Sequence, residues 1–561
     1  LSCVLLVSTL LACAPPPPAN REAADLVLRN GTVATLDARH PRAEAVAVAE
    51  GRIVYVGSAE GAEAWIGPRT EVVDLAGKML VPGFQDSHTH LVGGGVRLDD
   101  CQLASFTTQE EILAEVRRYA AAHPERPWIR GGGWQLFAFP QANPHKSLLD
   151  EAVPDRPVAL SAADGHSAWL NSRALELAHI TKETPDPPGG RIERDPTTGE
   201  PTGTLRESAM GLLVSAVPAR SPEEFTAGLR RALRLTAESG ITSIQDAAAE
   251  KPELDAYAAL DRSGELTVRV TAALRARPEK GMEQIPELIR LREAYRGRRL
   301  RAETVKIFLD GVIEARTAAL LEPYVGFPSE RGETQWDPEL LDKFVTAIDR
   351  EGFQIHVHAI GDRAIRLALD AFEKARQANG PRDARHQIAH LELIDPQDIP
   401  RFQRLGVIAD FQPLWAFDDP YIKELTIPVL GPERSRWLYP IGSVARTGAV
   451  IVGGSDWPVT SMNVPAAMQI GITRRDPGAG PGPAWLPEQT VDLQTLLEAY
   501  TIRGAFAAFQ EKTTGSIEVG KAADLTVLDR DLFKTPAHEI VRVKVLRTFV
   551  DGKEVFRAAQ P

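Results

Sequence analysis

The chain has 561 residues, 43% of them hydrophobic and 25% charged, and a formal net charge of −12. That length exceeds one ordinary domain and suits a large barrel with a satellite domain. The acidic balance, with no basic stripe interleaved with aromatics, excludes a nucleic-acid partner, because like charge repels a phosphate backbone.

In chain order, residues 1–12 form an apolar run of signal-peptide length, too short to span a bilayer as a helix. Leu10-Leu11-Ala12-Cys13 resembles a bacterial lipobox, in which Cys13 becomes the lipidated first residue; an ordinary secretory signal is the alternative. Either reading implies export to the cell envelope or periplasm. The lipobox adds a membrane anchor through Cys13, with the proline-rich segment up to Ala24 as a stiff spacer. Of the three cysteines, Cys3 leaves with the signal and Cys13 is modified, so Cys101 stands alone and no internal disulfide is available. The oligomeric state is not written in the sequence; a homodimer is compatible with it.

Residues 25–82 carry short β signals: Asp25–Leu28, Thr32–Leu36, Ala45–Val48 and Arg52–Val56, with turns at Asn30-Gly31 and Glu50-Gly51. Residues 511–561 repeat the style, with strands expected at Ala523–Leu528, Val541–Leu546 and Thr548–Val550 and a hairpin turn at Asp551-Gly552. Two β-rich ends predict one small composite β-sandwich. Between them, residues 83–510 alternate strands with amphipathic helices such as Glu223–Glu238 and Pro338–Arg350. Eight strands are expected, at Gly83–Ser87, Ile241–Asp246, Thr267–Leu274, Thr304–Leu309, Gln354–His358, Gln387–Leu391, Val407–Phe411 and Ala449–Gly453. The fold class is therefore α/β, a TIM (β/α)8 barrel. About 150 residues separate the first two strands, so residues 95–220 are expected as an insert over the barrel mouth.

The chemistry starts at His88-Thr89-His90. Residues i and i+2 of a strand share a face, and at the C-terminal end of a barrel strand that face looks into the active-site mouth. Lys306 interrupts an otherwise apolar strand, and a buried lysine is costly unless it is paired, with Asp310 or Glu314, or chemically altered. The following strands end in His356-Val357-His358, in His386 to His390, and in Gly454-Ser455-Asp456. Five of eight strands thus carry a metal-type ligand or the misplaced lysine at one end. His356 and His386, two and four residues before their partners, are expected to point inward but deeper, in supporting roles.

These motifs resemble those of the amidohydrolase superfamily, in its N-substituted formamide deformylase-like branch. The resemblance rests on Gly-Phe-Gln-Asp-Ser-His-Thr-His at 83–90, Val-Lys-Ile-Phe-Leu-Asp-Gly at 305–311 and His-Ala-Ile-Gly-Asp at 358–362. Ile-Ala-His-Leu-Glu at 388–392, Gly-Ser-Asp-Trp-Pro-Val at 454–459 and the tail Gly-Ser-Ile-Glu-Val-Gly-Lys-Ala-Ala-Asp-Leu at 515–525 complete it. It implies that His88, His90 and Asp456 hold one divalent ion, Zn²⁺ by preference, and that His358 and His390 hold a second. It also implies that CO₂ carboxylates Lys306 into a bridging carbamate, and that Asp456 is the catalytic acid/base for a metal-held hydroxide attacking a small-molecule amide. The implied reaction is hydrolysis of a non-peptide C–N bond. Lactone, phosphotriester or deaminase chemistry, or a catalytically silent sensor, would fit the same fold. Trp134, His166, Trp169 and Asn171 in the insert, and Gln412, Trp415 and Trp457 after the last strands, are candidate substrate contacts; each tryptophan reads equally well as core.

Overall fold

A computed structural model describes residues 23–559. The expected leader and Cys13 lie outside the described residues. At the centre stand eight parallel strands: β1 (Phe84–Thr89), β2 (Ile241–Ala249), β3 (Arg269–Arg275), β4 (Leu300–Phe308), β5 (Gln354–Ala359), β6 (Gln387–His390), β7 (Ile408–Phe411) and β8 (Ile451–Gly453). They pair strictly in chain order from β1 to β8. Beyond the last strand the barrel is drawn shut by a parallel bridge between Thr89 and Trp457, with Asp456 N donating to His88 O (2.7 Å) and His90 N to Trp457 O (2.8 Å).

Helices cover the outside. Pro338–Arg350 begins where the Asp337 carboxylate accepts the Leu340 N–H, and it buries Leu341, Phe344, Val345 and Ile348, an apolar stripe at helical spacing. The lower interior of the barrel departs from the usual aliphatic filling. There Gln387 Nε2 donates to Gln245 Oε1 (3.0 Å), and Gln354 accepts from Thr304 (2.9 Å) while donating to the backbone of Arg385 and Ala507. Gln245, Gln354 and Gln387 thus hold one another across the strands, and the floor is polar yet closed.

Both termini build one sandwich. Its four-stranded sheet runs Arg52–Gly57, Ala45–Ala49, Leu26–Arg29, Glu71–Asp74; its six-stranded sheet runs Lys553–Arg557, Val545–Val550, Leu525–Leu528, Met79–Pro82, Thr32–Ala34, Arg42–Ala43, the two termini meeting at its middle. Leu26, Val46, Leu80, Leu525 and Phe549 fill the space between. One expectation needs correcting: residues Ala537–Arg542 form a 3₁₀ helix, and a single strand, Val545–Val550, replaces the two expected around Leu546 and Thr548. The Val543 side chain is buried beside that helical turn.

The long segment after β1 carries its own six-stranded sheet, from Cys101 to Glu207, and a separate core. Trp134 and Trp169 sit in that core and not in a substrate pocket. Both are fully buried, pack edge-to-face, and donate their indole N–H groups to the carbonyls of Leu160 (3.1 Å) and His145 (3.2 Å). Asn171 is likewise structural: its Oδ1 caps the helix Ser172–Leu177 through Ala174 N (3.0 Å).

Candidate metal centre

The cluster forms where β1, β4, β5, β6, β7 and β8 end. Asp86 positions the first histidines. Its carboxylate accepts from Ser455 Oγ (2.5 Å), Ser455 N (2.9 Å) and His88 N (3.2 Å), tying β1 to the segment after β8. Gly454 makes that approach possible: a Cβ there would stand 2.6 Å from the Cβ of His88. Around this tie His88, His390 and Asp456 bring one ligand atom each within 4.8 Å of one another. Asp456 Oδ1 also lies 3.1 Å from His90 Nε2 and 3.4 Å from His88 Nε2. The His390 ring lies 4.5 Å from that of His358, whose Nε2 faces the Gly311 carbonyl (3.4 Å). The compact triad therefore mixes ligands that the resemblance divides between two ions.

His390 (φ 77°) and Asp456 (φ 53°) hold left-handed backbone conformations that non-glycine residues seldom adopt. Such strain persists where the surroundings over-determine it, commonly at functional sites.

Lys306 lies beneath the histidines. It is completely buried and its Nζ has no hydrogen-bond partner. The pairings open to it are absent: Asp310 accepts the N–H groups of Ala319, Ile360 and Gly361, and Glu314 accepts Thr426 Oγ1. Burial pushes the amine down to about 7, against the attraction of Asp456 and Asp410. Burial also holds His88, His356, His358 and His390 well below the usual histidine range, with Lys306 adding to the effect. Neutral imidazoles, a readily deprotonated amine and unpartnered carboxylate oxygens on Asp456 and Asp410 form a donor set that fits a divalent metal ion.

Two residues extend this set. His356 points inward, its Nε2 3.1 Å from His88 Nδ1. Asp410, on β7, places Oδ2 3.4 Å from His356 Nε2 and 3.6 Å from His88 Nδ1. The sequence reading missed Asp410, although it shares the signal of Lys306, a charge inside an apolar strand. His386 does not point inward. It precedes β6, whose last residue His390 is left-handed, and it faces the helical layer, against Asp349 (3.1 Å) and Phe372.

The expected substrate contacts divide. Gln412 is fully buried and serves the ligands instead, accepting at Oε1 from His390 Nδ1 (2.9 Å) and donating to Asp410 (3.3 Å). Trp415 stacks on His390 with rings 5.3 Å apart and parallel to within 3°. Trp457 packs so closely on Gly94 that a Cβ there would meet its ring at 2.3 Å. His166 reaches in from the insert. Its ring lies 4.9 Å from that of His358, and its Nδ1 meets Glu207 Oε2 at 2.8 Å. Glu207 Oε1 in turn accepts from Thr317 (2.7 Å), and Glu207 itself adopts φ 50°, ψ −127°. Burial disfavours the His166 cation, but Glu207 outweighs it and raises the imidazole to about 9. Glu207 left no signal in the sequence, being distant from every motif.

Comparison with known proteins agrees with this geometry. Residues 71–556 match the amidohydrolase family. The chain is 34% identical to the protein LONG AFTER FAR-RED 3 of Arabidopsis thaliana, covering 98% of this chain and 94% of that one. It is 30% identical to the N-substituted formamide deformylase of Arthrobacter pascens, covering 94% and 97%. Among solved structures, a metal-dependent hydrolase from Pyrococcus horikoshii superposes with a TM-score of 0.71 at 26% identity, covering 91% of this chain and 99% of that one. With candidate ligands gathered at the strand ends of an eight-stranded barrel and a match to the family over residues 71–556, the chain belongs to the amidohydrolase family.

Proposed function

We propose that this metal-dependent hydrolase cleaves a non-peptide C–N bond in a linear amide or N-substituted formamide. The observation that carries the reading is the convergence of buried His88, His390 and Asp456 and half-buried His90 around an orphaned Lys306. His88, His90, Asp456, His358 and His390 would hold one or two divalent ions, Zn²⁺ by preference, which when bound polarise a carbonyl oxygen and acidify water. Lys306 offers a neutral amine to CO₂: its Nζ forms a bond to carbon, loses a proton and becomes an anionic oxygen donor. Asp456 accepts the proton of the attacking water at its carboxylate and delivers it to the nitrogen of the leaving amine. His166, fixed by Glu207, faces the substrate from the insert, while Trp415 supplies an apolar wall and holds the His390 ring in place.

A screen of N-formyl and N-acyl amines with metal-loaded protein tests this reading. Asp456→Asn should lower kcat by roughly 10²–10⁴-fold while the fold, read by circular dichroism, stays intact. A fully active variant would remove Asp456 as the acid/base. Chelation should abolish turnover and added Zn²⁺ restore it; activity that survives exhaustive chelation would reject the metal. Carbon NMR with isotope-labelled bicarbonate should give a carbamate signal that vanishes in Lys306→Ala.

A further inference from the structure

One cation on the inner wall of the barrel has no part in the metal centre. Arg275 is the last residue of β3, and in the parallel pairing of β3 with β4 it lies opposite Lys306. Laterally paired residues of a sheet share a face, so Arg275 points with Lys306 toward the barrel interior. Its side chain climbs from that layer to the next, where the guanidinium carbon sits 5.3 Å from the centre of the Phe308 ring. The same ring lies 4.9 Å from Lys306 Nζ and 5.5 Å from the centre of the His358 ring. Phe308 therefore links the guanidinium to the ligand cluster at a separation that a small substrate can span.

The guanidinium is under-committed. Of its five N–H donors one meets an acceptor, Nη1 to Glu250 Oε1, and at 3.4 Å that bond is long. Arg277 Nη2 takes the same oxygen at 2.6 Å, and Glu279, the next acid along the loop, pairs with Arg277 (3.9 Å). Among the described residues Arg275 makes no other hydrogen bond or ion pair. Elsewhere the chain closes such an arginine with carboxylates, as at Arg269 with Asp524 and Asp551. The Arg275 side chain is 41% exposed, and at the C-terminal end of a barrel strand that exposure opens on the mouth through which substrate enters.

Metal binding gives no reason for a cation here, because like charge beside a site for divalent ions opposes their arrival. A planar fork of free donors lying against an aromatic ring matches the two oxygens of a carboxylate. We propose that Arg275 is a specificity-determining residue, which receives a carboxylate carried by the substrate away from the scissile bond. The inference rests on the amide-hydrolase reading above and narrows it to anionic amides, of the N-formyl or N-acyl amino acid class. In the competing account Arg275 pairs with a carbamate oxygen on Lys306 and confers no preference among substrates.

Three formamides of equal length separate the two: N-formyl-4-aminobutyrate, which ends in a carboxylate, N-pentylformamide, which ends in a methyl, and N-formylputrescine, which ends in an ammonium. With metal-loaded protein, kcat/KM is measured for each probe that is hydrolysed, and the dissociation constant, by calorimetry, for each that is not. The anionic probe should be favoured at least about tenfold over the neutral one, and by more over the cationic one. That preference should fall toward one in Arg275→Met and return in part in Arg275→Lys, which restores the charge without the fork. Bound metal and the carbamate signal should stay as in the unaltered protein. Equal treatment of the three probes, a preference for the ammonium, or neither binding nor hydrolysis of any would overturn the assignment. So would a preference undiminished in Arg275→Met, or loss of the carbamate signal with all three probes impaired alike. If Arg275→Met fails to fold, Arg275→Gln takes its place. A tenfold preference in binding without hydrolysis of any probe would support Arg275 and count against the amide reading. Hydrolysis of all three with equal efficiency would do the reverse.

Discussion

Behind His88 stand His356 and Asp410, both completely buried. A carboxylate set against a ligating imidazole orients the ring and raises its basicity, and loss of such a partner commonly costs 10–100-fold in metal affinity. Asp410→Ala should therefore weaken Zn²⁺ binding by roughly that factor, measured by competition with a chromogenic chelator; unchanged affinity would leave Asp410 a mere packing residue. Asp410→Asn, which retains an oxygen acceptor, should recover part of the loss. Lys306 was legible because a lysine in an apolar strand violates the cost of burial. Asp410 violates the same rule, but a lone aspartate near a strand end also reads as the start of a loop. Gln412, a neutral side chain, gave nothing to distinguish ligand support from substrate contact.

The strands were the most legible elements. Several barrel strands, such as Arg269–Arg275 and Ile451–Gly453, carry apolar runs buried on both faces, while Phe84–Thr89 is marked instead by its polar residues. Where alternation was extended past a strand end it failed, as at His386, which lies outside Gln387–His390, while His390 is itself left-handed (φ 77°), so the two do not share a face. The insert was the least legible: its tryptophans sit beside glycines and turn residues, a composition shared by pockets and small cores. Trp134→Ala should accordingly cost about 3–5 kcal/mol in denaturant unfolding while leaving KM of the folded protein nearly unchanged. A large KM effect at intact stability would return Trp134 to the pocket. Gly454→Ala acts on the tie between β1 and β8. The added methyl has no room beside His88, so stability should fall by about 1–3 kcal/mol, with loss of bound metal per chain by elemental analysis.

At the scale of the whole molecule, barrel and sandwich are joined by charge. Arg269, at the start of β3, holds Asp524 (2.7 Å), and Asp551 sits among Arg269, Arg298 and Arg299. Asp524 is fully buried at its side chain, so Asp524→Ala removes two charged hydrogen bonds and leaves Arg269 to Asp551 alone, and should cost about 1.5–3 kcal/mol. Although burial opposes it, the attraction of Arg269 and Arg299 holds the Asp551 carboxyl well below the usual range. A depressed carboxylate stabilises the fold above its unfolded value of about 3.9, and the contribution drains away as pH falls below that value. Asp551→Asn should thus be less stable at neutral pH and show a shallower acid limb in thermal melts; parallel limbs would exclude the junction as the acid-sensitive element. Export, proposed from the apolar run ahead of Cys13, is checked by mass spectrometry of the mature amino terminus, where diacylglycerol on Cys13 is expected and an unmodified thiol rejects the anchor.

The pairing of Met79–Pro82 with Leu525–Leu528 also sets an order of events during synthesis. The early strand emerges from the ribosome more than four hundred residues before its partner. Until then one edge of Met79–Pro82 is unpaired and apolar, the kind of edge that recruits strands from other chains. The sandwich can close only once Leu525–Leu528 has emerged, so Met79–Pro82 is open to misassembly throughout that interval, and a chaperone that shields that strand should raise the yield of folded protein.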